Sequence, residues 1–206
     1  KDKKGFHWIG TNEAGLLKYN PQENSYISLK HQKGNPNSLP ENSIYCLYEF
    51  DDDHIWAGTN YGISIINTKT NDVKNINFYP PEKTQHSEQT LKNIFKDSKG
   101  NFWLATNGGL ILFNPKTNKQ EYFIYDSNNP NSVSDNSITD IAEDKNGNLW
   151  IGTMNGLNIL NYSPDKKVSF KRIRHEESDP NSICSNRISN FQMTPDSLWI
   201  ATSDGL

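Results

Sequence analysis

An all-β chain of repeated four-stranded antiparallel units is predicted by three features of the sequence. The five tryptophans, Trp8, Trp56, Trp103, Trp150 and Trp199, stand 48, 47, 47 and 49 residues apart. Each opens the same phrase: Trp8-Ile9-Gly10-Thr11, Trp56-Ala57-Gly58-Thr59, Trp103-Leu104-Ala105-Thr106, Trp150-Ile151-Gly152-Thr153 and Trp199-Ile200-Ala201-Thr202. A glycine and an aliphatic residue follow at a fixed offset, as Gly15-Leu16, Gly62-Ile63, Gly109-Leu110, Gly156-Leu157 and Gly205-Leu206.

Each unit divides into strands in the same order. Alternating segments supply the first strand: Ile44–Tyr48, Leu91–Phe95, Ile138–Ala142 and Ile188–Gln192. Asp97-Ser98-Lys99-Gly100-Asn101 and Asp144-Lys145-Asn146-Gly147-Asn148 follow as hairpin turns, because Gly and Asn tolerate positive φ. The Trp phrase is the second strand, with Gly or Ala where neighbouring sheets pack closely. Gly62–Ile66 and Gly156–Leu160 exemplify the third strand, and Gln120–Tyr125 and Ser169–Arg174 the fourth. Four strands in about 47 residues, with no room for a helix, is the layout of a β-propeller blade. Helical repeats are excluded because no segment shows 3.6-residue periodicity. A sandwich would not require the same Trp in every unit, whereas radial packing does. The five tryptophans are therefore expected between blades.

The expected division is blade 1 over about 1–30 without its first strand, blade 2 over 42–79, blade 3 over 90–125 and blade 4 over 136–175. A fifth blade begins over 186–206. The chain thus reads as an incomplete propeller, a part of a longer array whose open faces favour a homodimer.

Net charge is −3 and the isoelectric point about 6.0, which gives no footprint for nucleic acid or an anionic membrane surface. The hydrophobic fraction is 33% and the mean hydropathy −0.82, as short half-buried strands with long polar turns would give. No apolar run is long enough to span a bilayer. Cys46 and Cys184 lack CxxC spacing, and His7, His31, His54, His86 and His175 show no metal-ligand spacing. Asp51-Asp52-Asp53 lacks the alternating oxygens, Gly and distal Glu of a calcium loop, so it is expected to be a solvated turn. No nucleophile elbow, P-loop or dinucleotide fingerprint occurs. Neither a catalytic residue, a metal nor a cofactor is expected.

Further fixed offsets identify the repeat. Pro130-Asn131-Ser132-Val133 precedes Ile138, then Asp144-Lys145-Asn146-Gly147-Asn148-Leu149-Trp150-Ile151-Gly152-Thr153. Pro36-Asn37-Ser38-Leu39 and Pro180-Asn181-Ser182-Ile183 stand before two other first strands, while Ser87-Glu88-Gln89-Thr90-Leu91 departs from the pattern. The chain resembles the two-component regulator propeller repeat of hybrid histidine kinase ectodomains from Bacteroidetes. That resemblance implies a non-catalytic periplasmic sensing region responding to oligosaccharides, with further blades, a membrane helix and a kinase elsewhere in the parent protein.

The ligand is expected where the fourth-to-first strand loops (31–42, 80–90, 126–136 and 176–186) meet the second-to-third strand turns. Asn60, Tyr61, Asn107, Asn155 and Arg187 are the candidates there, since amides, a phenol and a guanidinium can hydrogen-bond and stack on a sugar. The Pro-Asn-Ser motif is expected to anchor its loop. Two other functions compete. A propeller lyase of the streptogramin-inactivating type would need a clustered acid/base histidine, and a pure dimerisation scaffold would need no ligand.

Overall fold

The structure, a computed structural model, describes residues 1–78, 89–162 and 168–205. Most of the loop 80–90, with His86 and Ser87-Glu88, lies outside the described residues, as do residues 163–167 and Leu206. The described residues contain strands and no helix, in two compact units: 1–78 with 89–94, and 95–205. None of their elements is a helix long and apolar enough to cross a membrane.

The first unit opens with a three-stranded sheet, β1 (His7–Gly10), β2 (Leu16–Asn20) and β3 (Ser25–Leu29). A four-stranded sheet follows: β4 (Cys46–Asp51), β5 (His54–Gly58), β6 (Gly62–Asn67) and β7 (Val73–Asn77). Strand β8 (Leu91–Lys96) contains the boundary between the units and heads a sheet with β9 (Phe102–Thr106), β10 (Gly109–Asn114) and β11 (Lys119–Phe123). The second unit continues with the four-stranded sheet β12 (Ile138–Glu143), β13 (Leu149–Thr153), β14 (Gly156–Tyr162) and β15 (Val168–Ile173). Last comes the pair β16 (Ile188–Met193) and β17 (Leu198–Thr202). Strands adjacent in sequence are adjacent in each sheet, as in propeller blades. The expected fourth strand Gln120–Tyr125 ends earlier, at Phe123, because the Tyr125 amide leaves the ladder for Asn136 Oδ1 at 2.7 Å.

Hydrophobic contacts run from sheet to sheet within each unit. In the first, Leu16, Leu39, Ile44, Ala57, Ile66 and Val73 form one core, with Trp8 against it. In the second, Trp103, Ala105 and Leu110 pack with Ile138, Ile141 and Ile151, and Phe191 packs with Ala142 and Ile188. The small residue in the Trp phrase is required by this packing. A Cβ on Gly10 would come within 2.7 Å of Ile44 Cγ2, and one on Gly152 within 2.7 Å of Ile188 Cγ2.

The tryptophans share a strand position but not an environment. Trp56 and Trp103 are buried, Trp8 and Trp150 half-buried, and Trp199 is 53% exposed. Trp199, expected with the others between blades, lies in the two-stranded sheet β16–β17. A carboxylate six residues upstream anchors three of the others. Asp2, Asp97 and Asp144 accept the indole N–H of Trp8, Trp103 and Trp150 at 2.8, 2.9 and 3.1 Å. The same carboxylates accept backbone N–H groups two and four residues on, so one side chain folds the turn and fixes the ring. Before Trp56 that position is Phe50, which stacks on the indole at 4.4 Å; before Trp199 it is Met193.

Polar ties supplement the cores. Lys18 is buried with its ammonium 4.6 Å from the Phe6 ring centroid and donates to the Thr68 carbonyl at 2.6 Å. Burial holds its pKa below the usual lysine range. The Asp51–Asp53 turn is paired: Lys3 with Asp52, Lys4 and Lys69 with Asp53, and His54 with Asp51. Hydrogen bonds from Lys69 and Lys4 hold the Asp53 carboxyl below its usual range. At Asp144 burial acts upward, but hydrogen bonds from Asn148, Trp150 and Asn146 outweigh it and lower the pKa.

Two outcomes follow for stability. Trp103→Ala should cost about 3–5 kcal/mol, as buried aromatic truncations do, whereas Trp199→Ala should stay within about 1 kcal/mol; chemical denaturation of both variants checks the contrast. Carboxylates with lowered native pKa values add stability above the ordinary value of 3.8 and lose it as pH falls through the native one. Stability should therefore hold down to about pH 5 and fall below about pH 4. In Asp144→Asn the acid limb should be shallower, and an unchanged limb would remove this carboxylate from the explanation.

Candidate ligand-binding rim

The turns expected to bear the ligand are built by the threonine that ends each Trp phrase. Its hydroxyl donates to the carbonyl of the following glycine in all five repeats: Thr11 to Gly15, Thr59 to Gly62, Thr106 to Gly109, Thr153 to Gly156 and Thr202 to Gly205, at 2.6–3.2 Å. It also accepts a backbone N–H from within the turn, from Ala14, Tyr61, Gly108, Asn155 and Asp204 respectively. Turn closure thus explains why a hydroxyl and a glycine recur at fixed spacing in every repeat of the chain.

The Pro-Asn-Ser loops are also built to one plan. The amides of His31, Tyr125 and His175 donate to Asn42, Asn136 and Asn186 Oδ1, closing each loop at its base. One residue on, the amides of Gln32, Asp126 and Glu176 donate to the hydroxyls of Ser38, Ser132 and Ser182. Two side chains that the sequence did not single out tie such loops to the fourth strand. Asn75 donates to the Ser38 carbonyl at 2.8 Å, and Arg172 donates to the Ser132 carbonyl at 2.8 Å and its hydroxyl at 2.6 Å. Asn75 and Arg172 occupy matching ladder positions, opposite Ser64 and Asn158, but differ in residue type, so no repeated letter marks them.

Among the five candidates, Asn60 is held on every side of its amide. Its side-chain nitrogen donates to Glu41 Oε2 at 2.9 Å and Tyr45 Oη at 3.1 Å, its oxygen accepts from Thr90 Oγ1 at 2.6 Å, and its backbone N–H donates to Glu41 Oε1. Tyr61 beside it is 43% exposed. In the second unit Asn107 Oδ1 accepts from Ser137 Oγ at 3.5 Å. Asn12 and Ser43 make the same pair in the first unit, at 3.2 Å. Asn12, Asn60 and Asn107 are therefore clasps to the residue ahead of the next first strand. Asn155 and Arg187 are exposed, on adjacent backbone segments: Gly156 N–H donates to the Asn186 carbonyl at 2.7 Å, and Ser203 N–H to the Arg187 carbonyl at 3.1 Å.

A groove of about 660 Å³ in the first unit, between the 31–40 loop and Lys74, Asn75 and Asn77, contains none of the five candidates. No group of three or more His, Cys, Asp or Glu among the described residues could hold a metal ion. The thiols differ in environment. Cys46 donates to the Leu91 carbonyl at 3.4 Å, and burial pushes its pKa up to about 12 against a lowering hydrogen bond from Gly58, while Cys184 is exposed.

The two-component regulator propeller family matches residues 38–61 and 132–155, which each run from the Pro-Asn-Ser serine to the turn past Thr59 or Thr153. The fold recurs in the extracellular domain of a B. thetaiotaomicron protein, described in one solved structure as a one-component system and in another as a hybrid two-component system. The identity is 25% and the TM-score 0.77, over 98% of this chain and 25% of that one. The extracellular domain of a second hybrid two-component system from B. thetaiotaomicron is 20% identical with a TM-score of 0.62, over 98% of this chain and 31% of that one. Virginiamycin B lyase from Staphylococcus aureus shares the fold at 16% identity and TM-score 0.64, over 98% and 61%. The chain thus spans about a quarter of the length of the first relative. No curated protein matches it in sequence.

The thiol environments can be tested directly. At pH 8 a soluble thiol reagent should label Cys184 in the folded protein and Cys46 only after unfolding, since the thiolate is the reactive form; mass spectrometry of the peptides reads the order. Labelling of native Cys46 at the Cys184 rate would contradict its half-buried, protonated state.

Proposed function

We propose that this chain of two-component regulator propeller repeats is part of a sensing ectodomain of a hybrid two-component system, lying outside the inner membrane, in the periplasm. The single observation that carries the reading is the match over nearly the whole chain to an extracellular domain of such a system, together with the repeat family at two positions. The ligand is an oligosaccharide, held at the loop-and-turn rim by exposed side chains such as Tyr61, Asn155 and Arg187. A phenol face, an amide and a guanidinium suit ring stacking and hydroxyl recognition. Signalling chemistry belongs to other parts of the parent protein, and this region is non-catalytic. Further blades of that parent, or a second copy of the chain, cover sheet faces such as that of Trp199.

A thermal-shift screen against plant and host oligosaccharides, with sedimentation of the same sample, tests this. A dose-dependent rise in Tm for one glycan class supports the sensing role, as mass-action linkage requires. Flat melts from a folded sample favour a scaffold without its own ligand, and turnover of a streptogramin would establish the lyase reading that fold likeness alone suggests.

A further inference from the structure

The rim changes character at one junction of the second unit. Elsewhere a turn asparagine accepts a hydrogen bond from a serine or threonine ahead of the next first strand: Asn12 from Ser43, Asn60 from Thr90 and Asn107 from Ser137. At the junction of β13–β14 with β16 both partners are replaced together, the asparagine by Met154 and the hydroxyl by Arg187. Met154 is 37% exposed, and Arg187 is exposed. The loop base beside them changes too. The residues flanking its closing bond are Lys30 and Ser43 in the first loop and Ile124 and Ser137 in the next, but Arg174 and Arg187 in the last.

The backbone brings these arginines to one place. His175 N–H donates to Asn186 Oδ1 at 2.8 Å, so the residues on either side, Arg174 and Arg187, flank a single closed base. The Asn155-Gly156 turn sits against it: Gly156 N–H donates to the Asn186 carbonyl, and a Cβ on Gly156 would lie 3.4 Å from Arg174 Cγ. Neither guanidinium makes a hydrogen bond or ion pair among the described residues, although Glu176, Glu177 and Asp204 are close in sequence. Arg172, on β15 two residues before Arg174, is by contrast fully engaged in its loop.

We propose that Arg174 and Arg187, with Asn155 between them, form an oxyanion-binding position that selects saccharides bearing carboxylate or sulfate groups, a refinement that rests on the sensing role above. A guanidinium presents a planar fork that matches either oxyanion bidentately. Met154 and Arg187 replace a neutral clasp, so the Arg187 charge serves recognition instead of holding the blades together, and Met154 supplies an apolar surface for the face of a sugar ring.

Calorimetric titration of the chain tests this with two matched probe pairs. One is a galacturonate tetrasaccharide and its methyl ester; the other is a sulfated uronate–glucosamine tetrasaccharide and its desulfated, carboxyl-reduced form. At least one charged probe should bind tenfold or more tighter than its uncharged partner. Arg174→Gln, and the double variant Met154→Asn with Arg187→Ser that recreates the clasp pair, should each weaken it at least tenfold. The double variant should melt at or above the parent temperature, which separates lost recognition from lost folding. Equal binding of charged and uncharged partners, or charged binding unaffected by Arg174→Gln and the double variant, would overturn the oxyanion position and leave the sensing role intact. Absence of binding by every saccharide, charged or neutral, would overturn both.

Discussion

The close approach of a Trp-bearing second strand to the first strand of the next blade, as of β1 to β4, β9 to β12 and β13 to β16, governs the rest of the structure. Where it is tightest, at Gly10 against Ile44 and Gly152 against Ile188, a single methyl group would collide. Side chains on either side of that contact then merge into cores that run across sheets, as Leu16, Ile44 and Ala57 do in the first unit and Ala142, Ile188 and Phe191 in the second. Burial along this seam supplies the main driving force, and packing at interior density makes it intolerant of added volume. Small residues next to Trp are therefore demanded by geometry.

Hydrogen bonding then completes each blade locally. Carboxylates at Asp2, Asp97 and Asp144 organise the turn ahead of the indole, and threonine hydroxyls close the turn after it. These bonds saturate polar groups that would otherwise be costly to bury. The rim that results is mostly committed to its own architecture. Asn60 shows this most fully, with Glu41, Tyr45 and Thr90 around one amide. Arg174, Arg187 and Asn155 stay exposed at this rim, and the oxyanion position proposed above rests on them.

Much of this was legible in the sequence because repetition makes the same demand in each unit. The Trp spacing, the Gly or Ala beside it and the turn glycines are each dictated by backbone geometry, which admits few residue types. The Asn-to-Ser/Thr clasp was not legible: Asn60 and Asn107 read as ligand candidates, because an asparagine in a turn suits a ligand and a backbone equally well, and only the structure shows Thr90 and Ser137 as their partners. Asn75 and Arg172 left no trace, because a long and a short donor reach the same loop carbonyls. Burial of individual tryptophans was also hidden: the phrase around Trp199 matches the phrase around Trp103, yet what covers the ring is set by the neighbouring sheet.

The central claim is that recognition takes place at the rim where the repeated clasp gives way to Arg187. Chemical-shift mapping of the isotope-labelled chain, titrated with the tightest saccharide probe, measures this most directly. The predicted result is perturbation centred on the Met154–Gly156 turn, the Asn186–Arg187 segment and the Arg174 and Arg187 guanidinium signals. Perturbation confined to the groove between the 31–40 loop and Lys74–Asn77, or spread without a centre, would contradict it.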